Sequence, residues 1–198
     1  MEIPPRWAAD CHDPLVTERE STVNFQAIWQ RIQRAVKLEP GVYAEIGGDG
    51  AATGQAIAVV GVASLISGLS ALFTSARFSF LGWIIGAALA ATVGLAIGAG
   101  ILWLVSRLFG ATGSFESLFR SLGFAAAPSA LGIIPFLGGL VGGIWSLILA
   151  IRAVKETQSV SDGAAIAIVL IPAAIVFVIG LVVALIAGLA FLGFAATR

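Results

Sequence analysis

The chain has 198 residues, 59% hydrophobic and only 11% charged, against about 25% charged in soluble domains. So few charges cannot cover a water-facing surface, and a soluble globular protein is excluded. Eleven basic and eleven acidic residues without a long basic block argue against a nucleic-acid partner, and the single cysteine, Cys11, excludes a disulfide scaffold. Thirteen of the 22 charged residues lie in residues 1–54, so a polar N-terminal segment precedes an almost uncharged remainder. The composition predicts an all-α, polytopic membrane helical bundle.

Residues 1–24 are polar, with early acids and no apolar stretch near Met1, so no cleavable signal peptide is expected. Cys11 and His12 are neighbours here, too few ligands for zinc and one cysteine short of a haem-attachment motif. The spacing then predicts an amphipathic helix over 24–39. Phe25, Ile28, Trp29, Ile32 and Val36 share one face; Gln26, Gln30, Arg31, Gln33, Arg34 and Lys37 occupy the other. Asn24 suits the cap and Pro40-Gly41 the stop. Such a helix can lie in the membrane interface or pack on the protein's own cytosolic ends, and the two are compatible. Trp29, Arg31, Arg34 and Lys37 form its candidate surface for lipid or a partner. The following run GGDGAATG, residues 47–54, reads as a flexible joint. It is not a phosphate loop, because Gln55 follows Gly54 where a lysine is required and no strand precedes it; a dinucleotide pattern fails at Thr53.

Four uncharged intervals follow, Gly50–Ala76, Phe78–Ser106, Ser121–Ile151 and Gly163–Thr197, each longer than the roughly 20 residues a span needs. Pro135 with Gly138 and Gly139 breaks the third. About five spans are predicted, near 53–75, 80–107, 114–134, 138–156 and 163–188, with Pro172 kinking the last and the final residues turning along the interface. Residues 1–52 form a cytosolic segment and 53–198 the bundle. Nine basic residues (Arg6, Arg19, Arg31, Arg34, Lys37, Arg107, Arg120, Arg152, Lys155) then lie on the N-terminal side and two, Arg77 and Arg198, on the other. This bias places the N-terminus in the cytosol and the C-terminus outside, across the cytoplasmic (inner) membrane.

Within the spans, Gly82, Gly86, Ala90, Gly94 and Gly98 recur every four residues as a smooth ridge, and Gly138, Gly142 and Gly139, Gly143 repeat the spacing. Small residues at this interval let helix backbones approach, within the chain or against a partner. Trp83 and Trp103 stand about 30 Å apart along one helix, the separation of two interfacial anchors. Serines occur (Ser64, Ser67, Ser70, Ser106, Ser129, Ser146), but no His or Lys accompanies them as an activating base. No span centre carries an ionisable residue, so no proton relay or ion site is expected. The sequence thus predicts no catalytic residue, cofactor or metal. Membrane lipids and other membrane subunits, or a second copy, are the expected partners. A non-enzymatic scaffold, membrane organiser or accessory subunit is the first functional reading. The alternative is a carrier for an uncharged or lipid-like molecule, with Pro128, Pro135 and Pro172 breaking helices around a midplane site.

Residues 113–168 carry an ordered set of features: Gly113 and Phe115, Leu118 to Arg120, Ala127-Pro128, Pro135 to Gly139, Trp145, Lys155-Glu156, and Ser161 with Ala165. This stretch resembles the core of the Yip-domain (Ypt-interacting protein) family in its bacterial form. The resemblance implies five spans and a cytosolic N-terminal segment, in agreement with the charge bias. Eukaryotic relatives are linked to Rab GTPases and vesicle traffic; no residues here could carry that contact, so the role is not transferred.

Overall fold

In a computed structural model the described residues are 25–69, 80–134 and 137–196. Cys11, His12, the expected cap at Asn24, Arg77, the break at Pro135, Arg198 and the side chain of Trp83 lie outside them. Every regular element among the described residues is helical: α1 (Phe25–Val36), α2 (Val42–Gly48), α3 (Ala52–Gly68), α4 (Phe80–Leu108), α5 (Phe115–Ala125), a 3-10 helix (Ala127–Ile133), α6 (Leu137–Gln158) and α7 (Asp162–Ala196). Three of them, α4, α6 and α7, are long and apolar enough to cross a membrane, and the pair α2–α3, bent by 115°, is a fourth candidate. The five predicted spans are therefore matched by three to four helices on length and composition.

The amphipathic helix forms as α1, and its apolar stripe divides. Ile28 and Ala35 are buried and Ile32 and Val36 pack beside them, whereas Phe25 and Trp29 remain 79% and 60% exposed. Its end is a Schellman turn, with Leu38 left-handed (φ 59°) and the Glu39 N–H donating to the Arg34 carbonyl at 3.1 Å. Gly110 (φ 77°) ends α4 the same way, the N–H of Ala111 donating to the Ser106 carbonyl.

The centre of the fold is α5, which touches α1, α2, α3, α4 and α6. Ser114 caps it, accepting from the Ser117 N–H at 3.1 Å, and Leu118, Leu122 and Phe124 are buried in one core with Tyr43, Ile46, Ala56, Leu149 and Ile168. The stretch expected as one span near 114–134 is thus α5 plus a 3-10 helix. Pro128, at the head of the second, has no N–H to continue the first.

Close approaches fix the chain directions. A Cβ on Gly123 would lie 2.5 Å from the Ala56 Cβ, and one on Gly132 2.9 Å from the Ser67 Cβ, so α5 with the 3-10 helix runs parallel to α3. Eleven residues separate Ala56 from Ser67, but only nine separate Gly123 from Gly132. A 3-10 rise of about 2 Å against 1.5 Å makes both paths about 16–17 Å long. On the other side a Cβ on Gly142 would lie 2.5 Å from the Pro128 carbonyl oxygen, and one on Gly138 would strike that of Leu131, so α6 runs antiparallel to the 3-10 helix.

The last helix departs from expectation. It continues through Ala196 instead of turning near Gly188. Pro172 withholds one N–H, but the flanking Ile, Val, Leu and Ala give the chain no polar group to leave the helix for, and Gly180 and Gly188 stand alone without a second breaker. Most large apolar side chains described along α4, α6 and α7 are exposed, Leu89, Val93, Ile144 and Val178 among them. This is the surface of an integral membrane protein whose medium is lipid.

Candidate functional site

Two features stand out, a polar layer at one end of the bundle and an apolar cavity, open on one side, further along it. The polar layer gathers segments far apart in sequence. Arg31 on α1 makes a 2.6 Å ion pair with Asp49 and donates to Gln55 Oε1 at 2.9 Å. Arg34 pairs with Glu39 at 2.8 Å and Glu45 at 3.0 Å. Arg120 on α5 donates to Thr53 Oγ1 at 2.7 Å, the Gly47 carbonyl at 2.9 Å and Glu116 at 3.3 Å. These bonds hold the α2–α3 corner, which the sequence reads as a joint. Arg31 keeps the Asp49 carboxyl below its ordinary range, against a smaller opposing effect of burial, and the Ala51 N–H adds to it.

A second set ties the ends of α4, α5 and α6. Buried Gln158 accepts from Ser106 Oγ at 3.3 Å and donates to the Ser114 carbonyl at 3.2 Å. The Trp103 indole and Arg107 both donate to the Gly113 carbonyl, and the guanidinium lies 4.9 Å from the Trp103 ring centre. Tyr43 bridges the two sets. Its N–H donates to Glu156 at 3.0 Å, its hydroxyl to the Ala35 carbonyl at 3.2 Å, and its own carbonyl accepts from Ser121 Oγ at 2.9 Å. Burial, and then Glu156, push the Tyr43 phenol up. Lys155 pairs with Asp162 at 2.6 Å across the α6–α7 turn, lowering that carboxyl. The N-terminal segment, the α4–α5 turn and the α6–α7 turn therefore share one side of the bundle.

The cavity has a volume of about 610 Å³ and lies between α4, α6 and α7, floored by the end of α5. Gly94 and Gly98 of the predicted ridge line it, with Gly143 from α6 and Pro172 from α7. Among the described residues, a Cβ on Gly86, Gly94 or Gly98 would have nothing within 4 Å. Gly82 and Ala90 are exposed on the same helix. Gly138 and Gly142 are close-packed, while Gly139 and Gly143 face open space.

Of the predicted surface residues, Arg31 and Arg34 are engaged inside the chain, whereas Trp29 and Lys37 are exposed. Sequence spacing could not identify Arg120, Gln158, Tyr43 or Glu156 as the links of the polar layer. Their only local signal is a polar residue at the edge of an apolar run. Among the described residues, no three His, Cys, Asp or Glu side chains come together as metal ligands.

Fold and surface define an all-helical integral membrane protein. Residues 39–185 match the family model of the Yip1 domain, and the chain belongs to that family. The matched region extends on both sides of the stretch 113–168, where the resemblance is read from individual residues. No curated protein and no solved structure matches the chain.

Proposed function

We propose that the chain is a non-enzymatic membrane scaffold or accessory subunit of a larger membrane complex. The observation that carries the reading is the divided stripe of α1. Ile28, Ile32 and Ala35 anchor the helix on the bundle, while Phe25 and Trp29 project from it as an apolar tip. An aromatic pair on a firmly mounted helix suits the membrane interface or a partner's groove. The uncovered glycine side of α4 supplies a second surface that another helix can approach closely.

In this reading the membrane is crossed five times. From the polar layer α3 leaves, α4 returns, α5 with the 3-10 helix leaves again, α6 returns and α7 leaves last. The nine-to-two bias of basic residues supports a cytosolic polar layer and an external C-terminus. The test is Phe25→Glu with Trp29→Glu, two exposed positions, compared with Gln26→Glu and Gln30→Glu on the polar face. The aromatic pair's replacement is expected to shift the solubilised protein to a smaller assembly on native electrophoresis while the spans stay inserted. An unchanged assembly size overturns the reading.

The cavity, with Pro172 at its wall, favours a second reading as a carrier for an uncharged or lipid-like molecule. Saturable uptake by reconstituted protein, abolished by Pro172→Leu, would establish the carrier in place of the scaffold.

A further inference from the structure

A second hollow, of about 320 Å³, opens at the edge of the polar layer where α3, α4 and α5 meet. Thr53, Glu116 and Arg120 line its charged end, and Phe115, Phe119 and Ala96 line the rest. The two ends differ in depth. Arg120 is bonded to Gly47 and Thr53 at the α2–α3 corner. Ala96 stands ten residues before Ser106, which bonds to Gln158 in the polar layer, so it lies about 15 Å further along α4. The aromatic wall is braced: Phe115 sits edge-on to Trp103 at 6.5 Å and 6.0 Å from Phe119 between ring centres. Charge at the membrane surface with hydrocarbon beneath it is the order of groups in a phospholipid.

The charged end selects the headgroup. Arg120 and Glu116 form the longest ion pair among the described residues, 3.3 Å against 2.6–3.0 Å for the others. Glu116 is 75% exposed, so its carboxylate is open to a further partner. Of the five N–H donors of an arginine, Thr53, Gly47 and Glu116 take three of those on Arg120, and two are left. Side by side, the guanidinium and the carboxylate carry no net charge. A simple anion is drawn to Arg120 and repelled by Glu116, and a simple cation meets the reverse. A zwitterion laid antiparallel to the pair satisfies both groups. Phosphate suits the guanidinium fork. A primary ammonium brings the carboxylate N–H donors that a quaternary one lacks.

We propose that this hollow holds the headgroup of a phosphatidylethanolamine, its phosphate on Arg120 and its ammonium on Glu116. The glycerol and first chain carbons lie on Phe115, Phe119 and Ala96. A volume of about 320 Å³ is at the lower end for small-molecule sites, room for a headgroup whose chains continue along the exposed apolar helices. The inference rests on the polar layer lying at a membrane surface and not on the scaffold reading, since a bound lipid serves a scaffold or a carrier equally.

The full chain in detergent is titrated with phosphatidylethanolamine, phosphatidylcholine and phosphatidylglycerol of identical chains, and native mass spectrometry reads the lipid retained. Phosphatidylethanolamine is expected to bind about fivefold or more tightly than either of the others, the effect of one charged contact. Glu116→Gln keeps an acceptor for Arg120 and removes the charge. It should weaken phosphatidylethanolamine by about threefold or more and strengthen phosphatidylglycerol. Glu45→Gln, which removes a carboxylate of the same layer outside the hollow, should change neither. Ala96→Leu fills the apolar end and should weaken phosphatidylethanolamine with Glu116 intact. Glycerophosphoethanolamine, which has no chains, should not displace the lipid at equal concentration; displacement would assign the site to a soluble ligand instead. Phosphatidylglycerol bound as tightly as phosphatidylethanolamine makes the hollow a plain basic site and overturns the zwitterion. Phosphatidylcholine bound as tightly overturns the ethanolamine assignment. Phosphatidylethanolamine binding unchanged in both Glu116→Gln and Ala96→Leu means that the retained lipid is annular, and overturns the site.

Discussion

Arg120 donates at 2.9 Å to the carbonyl of Gly47, a residue 73 positions earlier that closes α2 just before the chain turns into α3. The same guanidinium holds Thr53 at the start of α3 and Glu116 on its own helix. One side chain, 15% exposed, therefore ties three points of the corner that Arg31 also holds through Asp49 and Gln55.

Arg120→Ala should lower stability by about 1.5–3 kcal/mol, because charge-assisted bonds are lost and the Gly47 carbonyl loses a donor. Arg120→Lys should recover only part of this, since an ammonium cannot reproduce the planar fork. Thermal unfolding in detergent measures both. Equal stability of wild type and Arg120→Ala would mean the corner is held elsewhere.

Gly142 and Gly143 are adjacent in sequence and differ in surroundings. Alanine at Gly142 drives a methyl to 2.5 Å from the Pro128 carbonyl oxygen, and at Gly123 to 2.5 Å from the Ala56 methyl. Each should cost about 1–3 kcal/mol by overpacking. Gly143→Ala meets nothing within 4 Å and should be close to neutral or slightly stabilising, since alanine favours the helix. Melting temperatures of the three variants decide it.

Asp49 has its folded pKa depressed by Arg31. Its contribution to stability is therefore full above the unfolded value, 3.8, and is lost as pH falls through the lower folded value. Asp162, lowered by Lys155, has the same sign. Unfolding midpoints should hold steady down to about pH 4 and fall below it. Asp49→Asn should lower stability at neutral pH by less than about 1 kcal/mol and flatten the acid decline. An acid decline as steep in Asp49→Asn as in wild type would remove Asp49 from the account.

Cys11 is the only thiol. An impermeant maleimide should label it in inverted membrane vesicles and not in intact cells. Labelling from outside would reverse the proposed orientation.

The sequence by itself determined the membrane class, through the near absence of charge after residue 54, and the amphipathic character of α1, through a 3.6-residue period. It also marked a stop at Pro40-Gly41, where Gly41 is left-handed, but it took residues 114–134 as one span across Pro128, where the structure changes helix type. Tertiary structure decided what stands opposite each face. Gly138 and Gly142 share with Gly139 and Gly143 the same spacing of four, yet only the first pair meets a backbone, because the 3-10 helix lies on that side of α6. Arg31 and Arg34 sit on a basic face that suits anionic lipid, and the fold brings Asp49 and Glu45 to them instead. Periodicity fixes the direction in which a side chain leaves its helix. What it meets depends on partners dozens of residues away, and only the packing of the whole chain brings those partners into place.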